Sequence, residues 1–304
     1  MSSSSRSPAC LAALALAGLL ATPCLAQVKP PRREPLRLSS LGDSITEAVN
    51  AEEIDPLNFG LSRNRWASWA NGYTKDWSSL LDRTNVNSHR QRIDEQFGED
   101  GRKNKSPAKT GADSEDLLKQ AMKAVKNQAD YVPILMGQND ICGDDFSDIP
   151  TDDEFTANIR AGLDVLRAGL PPGATVYILG IVDIYHLWEI GDDLDALGII
   201  ECNDLWEALA SDAIPCATML DPDLTEAERL QTRDRIIGFN AILAALAAEY
   251  DAADTQHYWQ FGDTTFTTDF DEDHVSSIDC FHPSAEGQTL IAEETWGTGP
   301  FAAP

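Results

Sequence analysis

The chain has 304 residues, of which 42% are hydrophobic, and its 23 lysines and arginines against 50 acidic residues give a formal net charge of −27. This apolar fraction is enough for a sizeable core, which excludes a wholly disordered protein. The acidic excess would repel phosphate backbones and anionic lipid surfaces, so the composition argues against a nucleic-acid-binding protein.

The first 26 residues have the pattern of a secretory signal peptide. A single charge, Arg6, precedes the apolar run 10–21, which as a helix is too short to span the about 30 Å of a bilayer core. Small residues at the end of this stretch predict cleavage before Gln27, and Pro23 directly before Cys24 disfavours a lipoprotein signal. We therefore expect a secreted or periplasmic protein without a membrane span, whose formal charge after cleavage is −28.

The remaining sequence predicts an exposed leader and a single domain. Residues 27–35 are rich in proline and basic side chains, and residues 36–304 contain neither an internal repeat nor a clear linker. The apolar pattern predicts strands at 36–41, 84–88, 131–136, 174–182 and 257–261. Apolar residues at helical spacing predict helices at 62–81, 114–129, 153–168, 225–250 and 283–294.

The order of these elements predicts the fold class. Strands that alternate with helices pair in parallel, so we expect an α/β fold with three layers, α/β/α. Residues 91–108 are charged and are expected to form a surface loop. Residues 184–223 are irregular and acidic, and are expected to form a loop-rich insertion.

Four cysteines remain after removal of the signal peptide. An even number in an oxidising compartment predicts two disulfide bonds, for which three connectivities are open. The simplest pairing joins Cys202 to Cys216, which closes a short loop, and leaves Cys142 to pair with Cys280. The spacing of these residues matches no zinc-binding pattern.

Three polar segments follow predicted strands. Residues 42–46 (Gly-Asp-Ser-Ile-Thr) come directly after the first strand, and residues 137–140 (Gly-Gln-Asn-Asp) follow the middle one. Near the C-terminus, residues 279–283 (Asp-Cys-Phe-His-Pro) follow the last strand and a loop. Parallel sheets bind ligands beyond the carboxyl ends of their strands, so we expect the three segments to meet at one edge of the sheet.

The residue types in these segments suit acyl transfer. The Ser44 hydroxyl is a weak nucleophile that needs a base such as His282, which Asp279 can orient from the same loop. The oxyanion of a tetrahedral intermediate needs fixed N–H donors, which the Asn139 side chain and the Gly111 backbone could supply. Each motif alone is typical of an ordinary turn, so the hypothesis depends on their occurrence together and in order.

The segments 42–44, 137–140 and 279–282, with Gly111 between the first two, resemble the four ordered sequence blocks of the SGNH/GDSL hydrolase family. The resemblance covers residues 38–289, nearly the whole chain after the signal peptide. It implies a flavodoxin-like sandwich with a five-stranded parallel sheet.

The resemblance also implies roles for individual residues. Ser44 would be the nucleophile, His282 the base and Asp279 the residue that orients the base. The backbone N–H groups of Ser44 and Gly111 and the side chain of Asn139 would form the oxyanion hole. The family needs no metal ion or organic cofactor, and its substrates are small-molecule, lipid or glycan esters. The run Gly-Gln-Asn-Asp-Ile-Cys is similar to that of phospholipase-B-like members.

The resemblance and the signal-peptide pattern together imply a secreted serine hydrolase of the lipase, phospholipase or esterase type that cleaves carboxylic esters through an acyl intermediate on Ser44. Two other functions remain open. The chain could be a carbohydrate esterase that removes acetyl groups, or, outside the enzymes, a catalytically silent acidic binding module. A second Asp-x-x-His, Asp271 to His274, competes for the catalytic pair, but three carboxylates crowd it and no proline-started helix follows. We expect this segment to be a solvated acidic loop, and we expect His89, His186 and His257 to be structural or exposed.

Overall fold

The computed structural model describes residues 29–51, 62–72, 86–98, 103–191, 194–196, 199–209 and 214–302. The predicted signal peptide lies outside the described residues. The described part of the leader lies against the body of the fold, since Lys29 pairs with Asp251 at 2.7 Å and Arg33 pairs with the buried Asp130.

A parallel sheet forms the centre of the fold. The strands are β1 (Arg37–Ser39), β2 (Leu41–Gly42), β3 (Lys103–Lys105), β4 (Tyr131–Leu135), β5 (Thr175–Leu179), β6 (Asp195–Ala196), β7 (Ile200–Glu201) and β8 (Tyr258–Gly262). Strands β6 and β7 form a separate antiparallel hairpin, and the others pair in parallel in the order β3-β1-β4-β5-β8, with β2 following β1 beside β4. This order is that of flavodoxin-like folds. The predicted α/β class with five parallel strand positions is confirmed.

Helices flank both faces of this sheet. They are α1 (His89–Phe97), α2 (Leu117–Lys126), α3 (Gln138–Ile141), α4 (Asp152–Gly169), α5 (Ile184–Glu189), α6 (Cys202–Ala208), α7 (Ala217–Leu220), α8 (Glu226–Ala253), α9 (Thr264–Thr267) and α10 (Ala285–Gly297). Successive residues of a strand point to opposite faces of a sheet. In β5, Val176 and Ile178 pack with α2, α4 and α8, whereas Tyr177 and Leu179 pack in a second core cluster with α10.

Most of the predicted elements are present. The strand predicted at 36–41 corresponds to β1 and β2, and β4, β5 and β8 correspond to those predicted at 131–136, 174–182 and 257–261. Helices α2, α4, α8 and α10 correspond to those predicted at 114–129, 153–168, 225–250 and 283–294. Capping boxes start the two longest helices, since Thr151 is paired with Glu154 in α4 and Thr225 with Glu228 in α8.

The helix expected over 62–81 is wrong over its described part. The helical structure within residues 62–72 is a short 3₁₀ turn, Arg65–Ala67, Arg63 forms a β-bridge with Val49, and residues 73–81 lie outside the described part of the chain. The reason is that tertiary hydrogen bonds replace helical ones here. The Trp69 N–H donates to the side chain of Gln288 (2.9 Å), and the Ser68 hydroxyl donates to the carbonyl of Thr46 (2.8 Å).

The predicted strand 84–88 and the predicted loop 91–108 also differ from the structure. The described residues of the predicted strand 84–88 are not extended in a sheet, because Ser88 caps α1 and its side chain accepts the N–H of Gln91. The expected loop 91–108 contains most of α1 and the strand β3. Among the described residues, strand β3 pairs with β1 alone, at the sheet edge, and its Lys-Asn-Lys sequence, with both lysines exposed, has no apolar pattern that would predict it.

The expected disulfide pairing is wrong. The structure joins Cys142 with Cys216 and Cys202 with Cys280. Cys216 lies at the start of α7, where Thr218 donates to the carbonyl of Ile141 (2.7 Å), so this part of the insertion packs beside Cys142. Cys202 starts α6 instead and faces the loop that contains Cys280.

Helix α8 is long and apolar enough to cross a membrane by length and composition alone. Core helices of this length pass the same test. In this structure, Ile236, Phe239 and Leu243 of α8 are buried in the cluster that α4 also lines.

Candidate active site

A cavity lies at the edge of the sheet where β2 and β4 end. Ser44, Asn139 and His282, one from each predicted segment, line it together. Most of its remaining wall is apolar, with contributions from Ile45, Val182, Leu187, Ile190, Phe270 and Phe281. The volume of the cavity is about 70 Å³.

Ser44 lies in a tight turn directly after β2. Gly42 has a φ of +154°, and a Cβ at this position would lie 2.5 Å from the carbonyl oxygen of Leu135, so a residue with a side chain does not fit. Asp43 stabilises the turn, because its Oδ1 accepts the N–H of Ile45 (2.9 Å). Within the described part of the chain, neither the hydroxyl nor the N–H of Ser44 makes a hydrogen bond, so both can contact a ligand.

Asp43 is fully buried beneath this turn. Burial raises its pKa to about 7, and the N–H of Ile45 and the positive charge of His282 oppose this shift only in part. The charge of His282 acts on the pKa of Asp43 because His282 lies beside the Ser44 turn.

His282 is hydrogen-bonded to the residue three positions before it. His282 Nδ1 donates to Asp279 Oδ2 (2.7 Å), which leaves Nε2 as the unprotonated nitrogen of the neutral ring. Asp279 Oδ1 accepts the backbone N–H groups of Phe281 (3.1 Å) and His282 (3.0 Å). Burial raises the pKa of Asp279, but the hydrogen bonds and the charge of His282 outweigh it, so the pKa lies below its ordinary value. The carboxylate therefore stays ionised.

The start of α3 is bonded to the segment that contains Gly111. Asn139 Nδ2 donates one of its hydrogens to the carbonyl of Ala112 (2.8 Å), which leaves the other for a ligand. The Asp140 carboxylate accepts both the N–H (2.8 Å) and the hydroxyl of Ser114. Burial raises the pKa of Asp140 to about 6, although the Ser114 hydrogen bonds lower it.

Gly111 does not line the cavity, but it directly precedes Ala112, whose carbonyl accepts the Asn139 side chain. Its φ of +73° suits glycine, and its N–H makes no hydrogen bond within the described residues. The structure thus brings Ser44, Asn139 and His282 into one wall, while Gly111 is exposed on the adjacent loop.

Glu47, which the sequence analysis missed, joins this loop to the Ser44 turn. Its Oε2 accepts the N–H (2.6 Å) and the hydroxyl (2.8 Å) of Thr110, and its Oε1 accepts Arg65 Nη2 (3.0 Å). Burial raises the pKa of Glu47, but the hydrogen bonds from Thr110 and Arg65 and the charge of Arg63 together lower it below its ordinary value.

Asn50 was missed as well. Its Nδ2 donates to Asp279 Oδ2 (2.7 Å), the oxygen that also accepts from His282. Thr110 lies 63 residues from Glu47 and Asp279 lies 229 residues from Asn50, so the sequence offers only the short distance of Glu47 and Asn50 from Ser44 as a signal.

Two further histidines line the cavity. His186 Nε2 contacts the carbonyl of Phe270 (2.8 Å), which ties α5 to the loop after α9. His274 Nδ1 lies 2.6 Å from Asp271 Oδ1, so the second Asp-x-x-His also forms a pair. The Asp271 side chain is 66% exposed, however, whereas that of Asp279 is 21% exposed. His282 is therefore bonded to the better shielded carboxylate.

The model of the family described as GDSL-like Lipase/Acylhydrolase matches residues 40–290. The chain belongs to the GDSL-like lipase/acylhydrolase family. It is therefore a hydrolase that acts on ester bonds. The resemblance of its sequence blocks to SGNH/GDSL hydrolases is thus confirmed.

This GDSL-family chain is also similar to several solved structures. They include a putative acylhydrolase from Bacteroides fragilis (16% identity, 90% of each chain covered, TM-score 0.43) and an acetylxylan esterase from Geobacillus stearothermophilus (14% identity, 91% of this chain and 99% of that chain, TM-score 0.48). Another is an extracellular lipase from Streptomyces rimosus (20% identity, 85% of this chain and 99% of that chain, TM-score 0.43). No curated protein matches the sequence.

Proposed function

We propose that this GDSL-family hydrolase cleaves carboxylic esters through an acyl intermediate on Ser44. The observation that supports the proposal best is the cavity wall shared by Ser44, Asn139 and His282. The hydrogen bond from His282 to the ionised Asp279 adds to it, because it holds the ring with Nε2 free to accept a proton.

In the proposed reaction, Ser44 Oγ attacks the ester carbonyl carbon while His282 Nε2 takes the hydroxyl proton. The resulting oxyanion accepts hydrogen bonds from the Ser44 N–H, the second hydrogen of Asn139 Nδ2 and the Gly111 N–H. The carbon–oxygen bond to the alcohol then breaks, and His282 gives its proton to the departing alcohol oxygen. A water molecule, deprotonated by His282, attacks the acyl-Ser44 ester and releases the carboxylic acid.

Ser44→Ala tests the nucleophile. The variant should fold normally and lose essentially all hydrolysis of short p-nitrophenyl esters, and a fluorophosphonate should modify Ser44 in the wild type only. Mass spectrometry of the labelled peptide identifies the residue that reacts. Activity retained in Ser44→Ala would contradict the proposal, and absence of labelling in the wild type would favour a silent binding module.

The two histidine–aspartate pairs provide a matched control for the base. His282→Gln should lose activity by a factor of about 10² or more, because no other group takes the proton from Ser44. His274→Gln removes the other paired histidine of the same cavity and should retain most of the activity. The opposite result would move the base to His274.

The substrate is proposed from the size and polarity of the cavity. A volume of about 70 Å³ with mostly apolar walls suits a short acyl group better than a long chain. The same observation favours a second candidate, removal of acetyl groups from a polysaccharide. A panel of p-nitrophenyl esters from acetate to palmitate, beside an acetylated glycan, separates these two activities from a lipase that prefers long chains.

The location is proposed to be outside the cytoplasm. The signal-peptide pattern of residues 1–26 and the two disulfide bonds support a secreted or periplasmic enzyme, because disulfides persist in oxidising compartments. N-terminal sequencing of the protein from the culture medium or periplasm should begin at Gln27.

A further inference from the structure

Asn50 connects three segments around the proposed catalytic pair. It is only 3% exposed, and it adopts a left-handed backbone conformation with φ of +52°. Its N–H donates to the carbonyl of Ser62 (2.7 Å), and its own carbonyl accepts the hydroxyl of Ser276. Asn50 therefore lies where the Ser44 turn, residue 62 and the loop before His282 meet.

The orientation of the Asn50 amide is determined by its partners. The N–H of Ser62 donates to Asn50 Oδ1 (2.8 Å), so the carbonyl end of the side chain faces residue 62. The amino end then faces Asp279 and donates to Oδ2. A reversed amide would place a nitrogen against the Ser62 N–H and an oxygen against a carboxylate, and both contacts would be repulsive.

This contact completes the set of donors around the Asp279 carboxylate. Oδ1 accepts two backbone N–H groups, and Oδ2 accepts His282 Nδ1 and Asn50 Nδ2. A carboxylate has about four lone-pair sites. All of them are occupied, so the four donors fix one orientation of the Asp279 carboxylate and stabilise its ionised form.

We propose that Asn50 is a positioning residue for hydrolysis, which acts through Asp279 to orient His282 and to set how strongly that ring holds a proton. The inference rests on the proposed function of the Ser44 site. Because Asn50 and His282 share one carboxylate oxygen, the amide draws negative charge from the oxygen that stabilises the imidazolium. Loss of the amide should make His282 a stronger base and leave its ring less well oriented.

Several other charged or titratable groups face His282, and the comparison of variants keeps them constant. Asp279 and Asp43 act on it directly, and Asp183, His186 and His274 lie in the wall of the same cavity. None of these residues changes in the variants that follow.

Asn50→Gly removes the amide and keeps a residue that tolerates the left-handed backbone. We expect kcat to fall about tenfold with KM unchanged, and the acid limb of the pH profile of kcat/KM to move up by about half a pH unit or more. Ser276→Ala is the matched control, since it removes the hydrogen bond to the Asn50 carbonyl, together with the 3.3 Å contact from the Ile278 N–H, and leaves all four donors to Asp279 in place. It should leave the acid limb in place. An unmoved limb in Asn50→Gly, or an equal movement in Ser276→Ala, would overturn the proposal.

Asn50→Asp provides a second variant that retains the shape of the side chain and an acceptor for the Ser62 N–H. It places the new carboxylate within hydrogen-bond distance of the Asp279 carboxylate. The two groups share a proton at low pH, and they repel each other once this proton is lost. We expect activity to fall on the alkaline side at a lower pH than in the wild type. A profile of unchanged shape would contradict the proposed contact with Asp279.

A spectroscopic measurement separates this proposal from the assignment of the enzyme. The proton on His282 Nδ1 should give a low-field NMR resonance that is absent in His282→Gln and shifts further downfield in Asn50→Gly. An unshifted resonance would overturn the role of Asn50 even if esters are hydrolysed. If the wild type neither hydrolyses esters nor reacts with a fluorophosphonate, the proposed function fails, and the resonance still tests whether Asn50 acts on the pair.

Discussion

Cys280 is joined by a disulfide bond to Cys202, and this bond attaches the loop that carries Asp279 and His282 to helix α6 of the insertion. The second bond, from Cys142 at the end of α3, attaches the segment after Asn139 to α7. The disulfide bonds thus link both the segment 137–140 and the segment 279–283 to the insertion 184–223. The insertion therefore helps to hold the site together.

A disulfide variant tests this connection. The two bonds span 78 and 74 residues, and each is expected to contribute about 4 kcal/mol by restricting the unfolded chain. A double replacement of Cys202 and Cys280 by serine should lower the melting temperature and kcat, and should move the acid limb of kcat/KM because the His282 loop loses its attachment.

The double replacement of Cys142 and Cys216 by serine is the control, since it removes a bond that spans a similar length. It should destabilise the protein by a similar amount without a change in the acid limb. Assays at 25 °C, well below both melting temperatures, separate activity from unfolding. Wild-type kcat in both variants would show that neither attachment affects the site.

Glu47 is expected to control the loop that carries Gly111. Glu47→Ala removes the acceptor for both donors of Thr110, so the loop keeps only the hydrogen bond from the Lys109 N–H to the Gly42 carbonyl (3.1 Å) among its described bonds to the Ser44 turn. We expect kcat for a short ester to fall about tenfold or more, because the Gly111 N–H, a proposed oxyanion donor, loses its fixed position. Arg65→Ala removes an arginine partner of Glu47 and leaves the Thr110 contacts, so it should retain most of the activity. Equal losses in the two variants would contradict the loop's role.

Salt should stabilise the protein. Without the predicted signal peptide, the chain has a formal charge of −28, and the mutual repulsion of its acidic groups favours the expanded unfolded state. Added NaCl screens this repulsion over about 10 Å at 0.1 M. The melting temperature at pH 7 should therefore rise between low salt and 0.5 M NaCl. A melting temperature that falls with added NaCl would refute this.

The elements that could be predicted from the sequence are those whose burial dictates their composition. Residues 131–135 and 175–179 are buried on both faces of the sheet, so they are nearly continuous apolar runs. Helix α4 buries one side only, so its apolar residues recur at helical spacing. The edge strand β3 has neither pattern and was missed.

The parts of the site that could not be predicted depend on contacts between distant residues. The order of Ser44, Asn139 and His282 along the chain was enough to propose that they meet, because parallel strands place their carboxyl ends at one edge. The contacts of Glu47 and Asn50 carry no comparable pattern, since a buried carboxylate and a buried amide are recognised only once their partners are known. Nor does spacing determine how cysteines pair.

Asp43 should make the stability of the fold depend on pH. Its pKa in the folded protein is raised to about 7 by burial, whereas that of an unfolded aspartate is about 3.9. Because the folded-state pKa is the higher one, the contribution of Asp43 to stability is fully present below pH about 4 and is lost as the pH rises through about 7. At pH 8 the ionised, buried carboxylate destabilises the folded state.

Asp43→Asn tests whether the charge of Asp43 lowers the stability of the fold as the pH rises. The amide keeps an oxygen that can accept the Ile45 N–H, and it carries no charge at any pH. The free energy of unfolding of the variant relative to the wild type should increase from pH 5 to pH 8, by about 2 kcal/mol. Urea denaturation of both proteins at constant ionic strength measures the difference, in which the contribution of the overall negative charge is common to both, whereas the coupling of Asp43 with His282 and Asp140 is part of what is measured. A difference that stays constant or decreases over this range would mean that Asp43 is ionised in the folded protein already at pH 5, and that donors other than Ile45 offset its burial.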